Sequence, residues 1–212
     1  KKNLTTKETF DLAVQNHQKN NFKAAENLYN QILKIDPNHI KTIFFLGTLS
    51  VQTKNFDRAK QMLQKTIQAQ PNNVDAYNNL GVVFKEFEEF QKAKDCFEKV
   101  IQIQPKHVDA LNNLGNVFKQ LNEPQKAINY YQKAIEIEPS YINAHQNLMD
   151  VCEKTNQITE LKDAVSNART FFKDNSIIKL YEGILLSRNE KFVEAKNCLE
   201  LISFGADEIN KE

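Results

Sequence analysis

A 34-residue period constrains this chain more than any other feature. Pro37, Pro71, Pro105 and Pro139 follow one another at that step. Gly47, Gly81 and Gly115 do the same, with Gly183 two steps further on. Only five Pro and five Gly occur in the 212 residues, so four of each on one period is poorly explained by chance. Three more columns agree: Leu12, Leu46, Leu80, Leu114 and Leu148; Ala25, Ala59, Ala93, Ala127 and Ala195; and Phe22, Phe56, Phe90 and Phe192. Self-similarity at such a step marks a fold made by stacking one supersecondary unit, each copy burying its apolar face on the next.

Each unit reads as two helices. In 74–107, Tyr77, Leu80, Gly81 and Phe84 recur at i, i+3, i+4 and i+7, one helical face. After a break at Glu88–Glu89, a second face runs through Phe90, Ala93, Phe97, Val100 and Ile101. The pair ends before Pro105, which cannot continue a helix interior. Asn38, Asn72 and Ser140 follow their prolines and are expected to cap the next helix. A Gly costs about 1 kcal/mol in a helix interior. Its return at one face position therefore points to a steric need, a close approach of the paired helices.

These residues resemble the tetratricopeptide repeat (TPR), through Leu111, Leu114, Gly115, Phe118, Ala127, Tyr131, Ala134 and Pro139 in unit 108–141, and Tyr77, Leu80, Gly81, Phe84, Ala93, Phe97 and Pro105 in unit 74–107. Units 6–39 and 40–73 match with Ala13 where Gly is usual, and with Asn16 and Ser50 where an aromatic is usual. Unit 142–175 is degenerate, with Met149 at the small position. Unit 176–209, also degenerate, keeps Gly183, Phe192, Ala195 and Leu199 but has Glu182 where Leu belongs, and reads as a C-terminal cap. The resemblance implies an all-α fold: one array over 1–212, a right-handed superhelical solenoid of about six helix-turn-helix units.

In that family the first helix of each pair lines a concave face, through positions 2, 5, 6, 9, 12 and 13 of the unit. The resemblance therefore turns Asn78, Asn79 and Lys85 of unit 74–107 inward, and likewise Asn112, Asn113, Asn116 and Lys119 of unit 108–141 and Asn147 of unit 142–175. Asn79, Asn113 and Asn147 form a column at the 34-residue step. An Asn side chain both donates and accepts, so it can pair with both groups of a peptide unit. With helices about 8–10 Å apart and an extended chain advancing about 3.3 Å per residue, one Asn per repeat would hold roughly every third residue of a bound segment. The column is similar to the asparagine ladder in the TPR part of the O-linked N-acetylglucosamine transferases. The carboxylate clamp that other TPR proteins use on chaperone tails is not matched: Asn112, Ile177 and Tyr181 stand where it needs cations.

The two ends of the inward face differ from its middle. Phe44 and Phe45 fall inward in unit 40–73 and are expected to contact a partner. Ile177, Leu180, Tyr181 and Ile184 fall inward in unit 176–209 and are expected to pack structurally, against Phe204 and Ile209 for example, or to mediate self-association.

Charge and motif content narrow the function classes. Lys+Arg 28 against Asp+Glu 27 leaves the chain near neutral, without the excess that would steer it to nucleic acid or an anionic membrane. No apolar run approaches the roughly 18–20 residues needed to span a bilayer, and KKNLTTKETF lacks the apolar region of a signal peptide. Cys96, Cys152 and Cys198 are odd in number and widely spaced, which suits buried thiols in a reducing, cytoplasmic compartment. His17, His39, His107 and His145 are scattered, and no metal, cofactor or catalytic signature occurs. The expectation is a non-enzymatic scaffold or adaptor that binds an extended segment of a partner protein, with no cofactor. The alternatives are the substrate-selecting arm of a larger glycosyltransferase-like enzyme and a subunit of a large assembly such as a ciliary one.

Overall fold

The computed structural model describes residues 4–173 and 175–197. The described residues are helical throughout their ordered elements and contain no strand. The elements are α1 (Thr6–Gln18), α2 (Phe22–Ile35), α3 (Ile40–Gln52), α4 (Phe56–Ala69), α5 (Val74–Glu86), α6 (Phe90–Ile103), α7 (Val108–Gln120), α8 (Pro124–Ile137), α9 (Ile142–Lys154), α10 (Ile158–Phe171) and α11 (Ser176–Arg188). Helical residues resume at 192 and continue to 197. First helices thus begin at 6, 40, 74, 108, 142 and 176, and second helices at 22, 56, 90, 124 and 158. The period read from Pro and Gly is the period of the backbone, in an all-α helical-repeat fold of the solenoid class.

The chain divides into two compact units, 1–110 and 111–212. In the first, each helix of α1 to α6 packs on its successor, and the first helices also touch one another, α1 on α3 and α3 on α5. In the second, α8, α9, α10 and α11 pack in succession and α9 touches α11.

Within a repeat, a small residue on the first helix faces a large one sixteen positions later. A β-carbon added to Gly81 would meet the Phe97 ring at 2.7 Å, and one added to Gly115 would meet the Tyr131 ring at 2.5 Å. At Gly47 the facing residue is Leu63, at a looser 3.1 Å. The aromatic rings of Phe97 and Tyr131 are fully buried, so the missing side chain is the space the ring occupies. The degenerate unit 142–175 holds the opposite arrangement, with buried Met149 at the small position and buried Val165 at the large one. The larger member of the pair there stands on the first helix, the reverse of the other repeats.

The turn inside each repeat is built the same way six times. Asn20, Lys54, Glu88, Asn122, Asn156 and Glu190 all have φ between 57° and 60°, the left-handed region, and all lie on the 34-residue step. Around them the two reverse hydrogen bonds of a Schellman cap recur, for example Glu89 N–H to Phe84 O at 2.9 Å and Glu88 N–H to Lys85 O at 3.0 Å. No Gly occupies this position, although side chains other than Asn are disfavoured there. That is why the turn shows in the sequence only as a break in periodicity.

The caps after the prolines lie one residue later than expected. Asn73, not Asn72, accepts from the Ala76 N–H at 2.9 Å. His39, not Asn38, caps α3, its Nδ1 accepting from the Thr42 N–H at 3.3 Å. His107 Nδ1 accepts in the same way from the Ala110 N–H at 3.2 Å. Tyr141, not Ser140, stands at the N-cap of α9 and makes no side-chain cap bond. A neutral imidazole has one acceptor nitrogen, which lets His39 and His107 each cap a helix.

The terminal units differ from the middle ones in burial. Leu12 is 38% exposed while Leu114 of the same column is fully buried, and Phe192 is 65% exposed. The Ala column is buried throughout, with Leu161 filling its gap.

The glycine geometry makes a graded prediction. Gly115→Ala gains about 1 kcal/mol in helix propensity but drives a methyl into the Tyr131 ring, for a net loss of about 1–3 kcal/mol. Gly47→Ala, facing a flexible Leu, stays within about 1 kcal/mol of wild type. Urea denaturation midpoints of the two variants test the difference.

Candidate functional site

The first helices α3, α5, α7 and α9 carry the positions that the repeat resemblance assigns to the inward face. Within the first unit, Asn79 Nδ2 donates to Thr48 Oγ1 at 3.1 Å, and Thr48 donates in turn to the Phe44 carbonyl at 3.2 Å. Asn78 is half-buried, and its Oδ1 is shielded from solvent without a hydrogen-bond partner. Lys85 is half-buried on the same helix.

Phe44 and Phe45 stand at 5.4 Å between ring centroids in an edge-to-face pair. Phe45 also meets Phe10 at 5.4 Å, Tyr29 at 6.2 Å and His17 at 6.4 Å. Phe45 is thus held in an aromatic cluster, while Phe44 lies at its edge. A pocket of about 290 Å³ opens between Val14 and His17 of α1 and Phe44, Phe45, Thr48 and Gln52 of α3. His17 Nε2 pairs with Gln52 Oε1 at 2.8 Å and its Nδ1 with the Tyr29 hydroxyl at 3.3 Å. Since a carbonyl oxygen only accepts, Nε2 carries the hydrogen and Nδ1 accepts from Tyr29.

In the second unit, Asn147 Nδ2 donates to Oδ1 of buried Asn112 at 2.9 Å. Asn116 accepts from the Tyr131 hydroxyl at 2.8 Å. Asn113 is half-buried and makes no side-chain hydrogen bond among the described residues. Lys119 pairs with Asp150 at 3.3 Å, and Lys154 reaches the same carboxylate at 2.9 Å. Burial pushes the Asp150 carboxyl up, but the ammonium groups of Lys154 and Lys119 outweigh it and hold the group below its usual range. Arg188 pairs with Glu153 at 3.0 Å. Beside them burial, then the charges of Asp150 and Glu153, push the Tyr181 hydroxyl up to about 12. Tyr181, Ile177 and Ile184 are half-buried and Leu180 is exposed. Cys198, Leu199, Phe204 and Ile209 lie outside the described residues.

Two of the three column asparagines therefore give an amide hydrogen to the preceding repeat. The acceptors differ because the sequence does. Position 5 is Asn112 in one repeat and Phe44, which cannot accept, in the other, so Asn79 reaches position 9 instead. Each bonded amide keeps its carbonyl oxygen and one N–H for another partner. Thr48 and His17 belong to this face as well. Thr48 is position 9 of its unit and could have been found from the unit count, whereas the His17 arrangement rests on Tyr29 and Gln52, 12 and 35 residues away, and has no local signal.

The remaining titratable core groups do not reach this face. Burial pushes the Cys96 thiol up to about 12, with Asp95 adding to it, and the Cys152 thiol up to about 11, with Glu160 adding to it. His145 is fully buried, donates from Nε2 to the Pro139 carbonyl at 2.9 Å and packs on Phe172. Its Nδ1 has no partner. Among the described residues, no group of three or more His, Cys, Asp or Glu is placed to hold a metal ion. No described helix is long and apolar enough to cross a membrane.

Comparison with known proteins agrees with this geometry. No curated protein sequence matches the chain. The tetratricopeptide repeat pattern matches residues 74–107 and 108–141, and a second tetratricopeptide repeat pattern matches 17–81. Among solved structures, MamA is 27% identical with a TM-score of 0.71, over 80% of this chain and 92% of that one. PilF of Pseudomonas aeruginosa is 17% identical with a TM-score of 0.78, over 96% and 91%. YrrB, described as a TPR protein with an unusual peptide-binding site, is 18% identical with a TM-score of 0.65, over 82% and 90%. Fold and repeat pattern together define a helical-repeat protein of the protein-interaction class. The chain belongs to the tetratricopeptide-repeat family.

Two predictions follow from the buried groups. In a Cys198→Ser chain, neither Cys96 nor Cys152 reacts with a thiol reagent such as dithionitrobenzoate at pH 8 until denaturant unfolds it, because the thiolate is suppressed in both. Burial lowers the His145 pKa from its ordinary 6.5, despite the opposing hydrogen bond to Pro139. The unfolded chain then binds the proton more readily, so stability is full above about pH 6.5 and falls as pH drops below it. His145→Leu flattens the slope of stability against pH between about 7 and 5, read as urea midpoints across that window.

Proposed function

We propose that this chain is a non-catalytic interaction module, a scaffold or adaptor that holds an extended segment of a partner protein on the inward faces of its first helices. The supporting observation is the amide column. Asn79 and Asn147 are oriented by bonds to the preceding repeat, Asn113 is uncommitted, and each retains groups that match a peptide unit. Pre-oriented donors and acceptors lower the entropy lost on binding. YrrB supplies a precedent for a peptide-binding site on a related fold. Asn78, Asn112, Asn116, Lys85 and Lys119 supply the surrounding polar surface of that reading, and Phe44 and Phe45 its apolar end. Nucleic acid and membrane are not partners in this reading, and self-association runs through Leu180 and its neighbours in α11.

The test is affinity capture with the wild-type chain beside an Asn79/Asn113/Asn147→Ala triple variant. Each lost hydrogen bond is worth about 0.5–1.5 kcal/mol, so the captured partner binds the triple variant at least about tenfold more weakly. Asn113→Ala alone breaks no internal hydrogen bond, and its weaker binding separates lost contact from disturbed packing. Unchanged capture by both variants, with helices intact by circular dichroism, ends this reading.

A further inference from the structure

We infer that the pocket between α1 and α3 is a specificity subsite for one bulky, uncharged side chain of the partner segment, of leucine, methionine or phenylalanine size. The inference rests on the inward faces being the peptide-binding surface and adds what that surface selects.

The lining decides the chemistry of the occupant. It contains no Lys, Arg, Asp or Glu. A charged side chain entering it would lose water without gaining a counter-ion, which is costly. The walls are Val14, Phe44 and Phe45. The deeper polar atoms are already committed. Both His17 nitrogens are bonded, to Gln52 and to Tyr29. Thr48 Oγ1 accepts from Asn79 and donates to the Phe44 carbonyl. The remaining amide groups, those of Gln18 and Asn20 and the Nε2 of Gln52, belong to exposed residues and keep their water. Nothing inside therefore calls for a polar occupant.

Size and rigidity point the same way. At about 290 Å³ the pocket has room for a bulky side chain, at the small end of the range of ligand sites. It is preformed, because Phe45 is braced by Phe10, Tyr29, His17 and Phe44 and cannot swing in to fill the space. It also joins the amide column directly: Thr48, which lines the pocket, is the acceptor for Asn79. A segment whose backbone meets Asn79 would place a neighbouring side chain against Thr48 and Phe44.

The experiment has two arms. In the first, a positional-scanning library of N-acetylated, C-amidated dodecapeptides is bound to the wild-type chain, to Phe44→Ala and to Val14→Glu, with folding of each checked by circular dichroism. In the second, amide resonances of Val14, His17 and Thr48 in the wild-type chain are followed during titration with N-acetyl-leucinamide and, separately, N-acetyl-lysinamide. The expected result is selection of a bulky uncharged residue at one fixed position, weakened about tenfold or more in both variants. The leucine probe shifts those resonances and the lysine probe does not. If peptides are selected but the residue preference is the same in wild type and both variants, the subsite is overturned and the peptide-binding reading stands. If the wild-type chain selects no peptide, the peptide-binding reading falls and the subsite falls with it as a specificity site, whatever the leucine probe does. Equal shifts with both probes overturn the uncharged preference.

Discussion

The contact on which the other contacts of a repeat depend is the fit of a large side chain into the space left by a small one sixteen residues earlier. Phe97 against Gly81 and Tyr131 against Gly115 leave no room for a β-carbon between the two helices of a repeat. That close approach sets where the first helix presents its remaining positions. Tyr131 shows the link directly: its ring fills the Gly115 space while its hydroxyl donates to Asn116 on α7. Burial pushes that hydroxyl's pKa well up, with the Asp150 charge adding to it, so it remains a hydrogen donor at any physiological pH.

Polar wiring then orients what the packing positions. Neighbouring first helices are tied by side-chain bonds, Asn79 to Thr48 in one unit and Asn147 to Asn112 in the other, and by the shared Asp150 with Lys119 and Lys154. Such partly buried pairs contribute only modestly to stability. Their effect is to hold the Asn79 and Asn147 amides in defined orientations. The apolar end of the face is organised by a different force, aromatic edge contacts around Phe45.

Much of the fold was legible because its signals are local and repeated. Pro and Gly at a fixed step, the Ala column and the paired helical periodicities each survive reading without neighbours, and the degenerate unit 142–175 was still recognised from its register. Other features left no such trace. The left-handed residue of each turn is Asn, Lys or Glu rather than Gly, so composition does not announce it. The helix caps fall on His39 and Asn73, one residue past the positions that seemed best, because the turn after each proline takes one more residue to close. The exchange of Met149 and Val165 makes sense only once the two positions are known to face each other.

By itself the sequence determined the repeat length, the number of helices per repeat, the all-α class and which positions are small, large or polar, since each of these follows from spacing along one chain. It also determined that the first helices of the middle repeats are rich in amides at repeated positions. Only the tertiary structure decided which amides are already spoken for, that His17 is locked between Tyr29 and Gln52, and that Phe45 packs on the core while it and Phe44 wall a pocket. The physical reason is that hydrogen bonds and cavities are relations between side chains about a repeat apart. A one-residue change of acceptor, such as Phe44 in place of Asn, redirects the bond without changing the pattern that produced the helix.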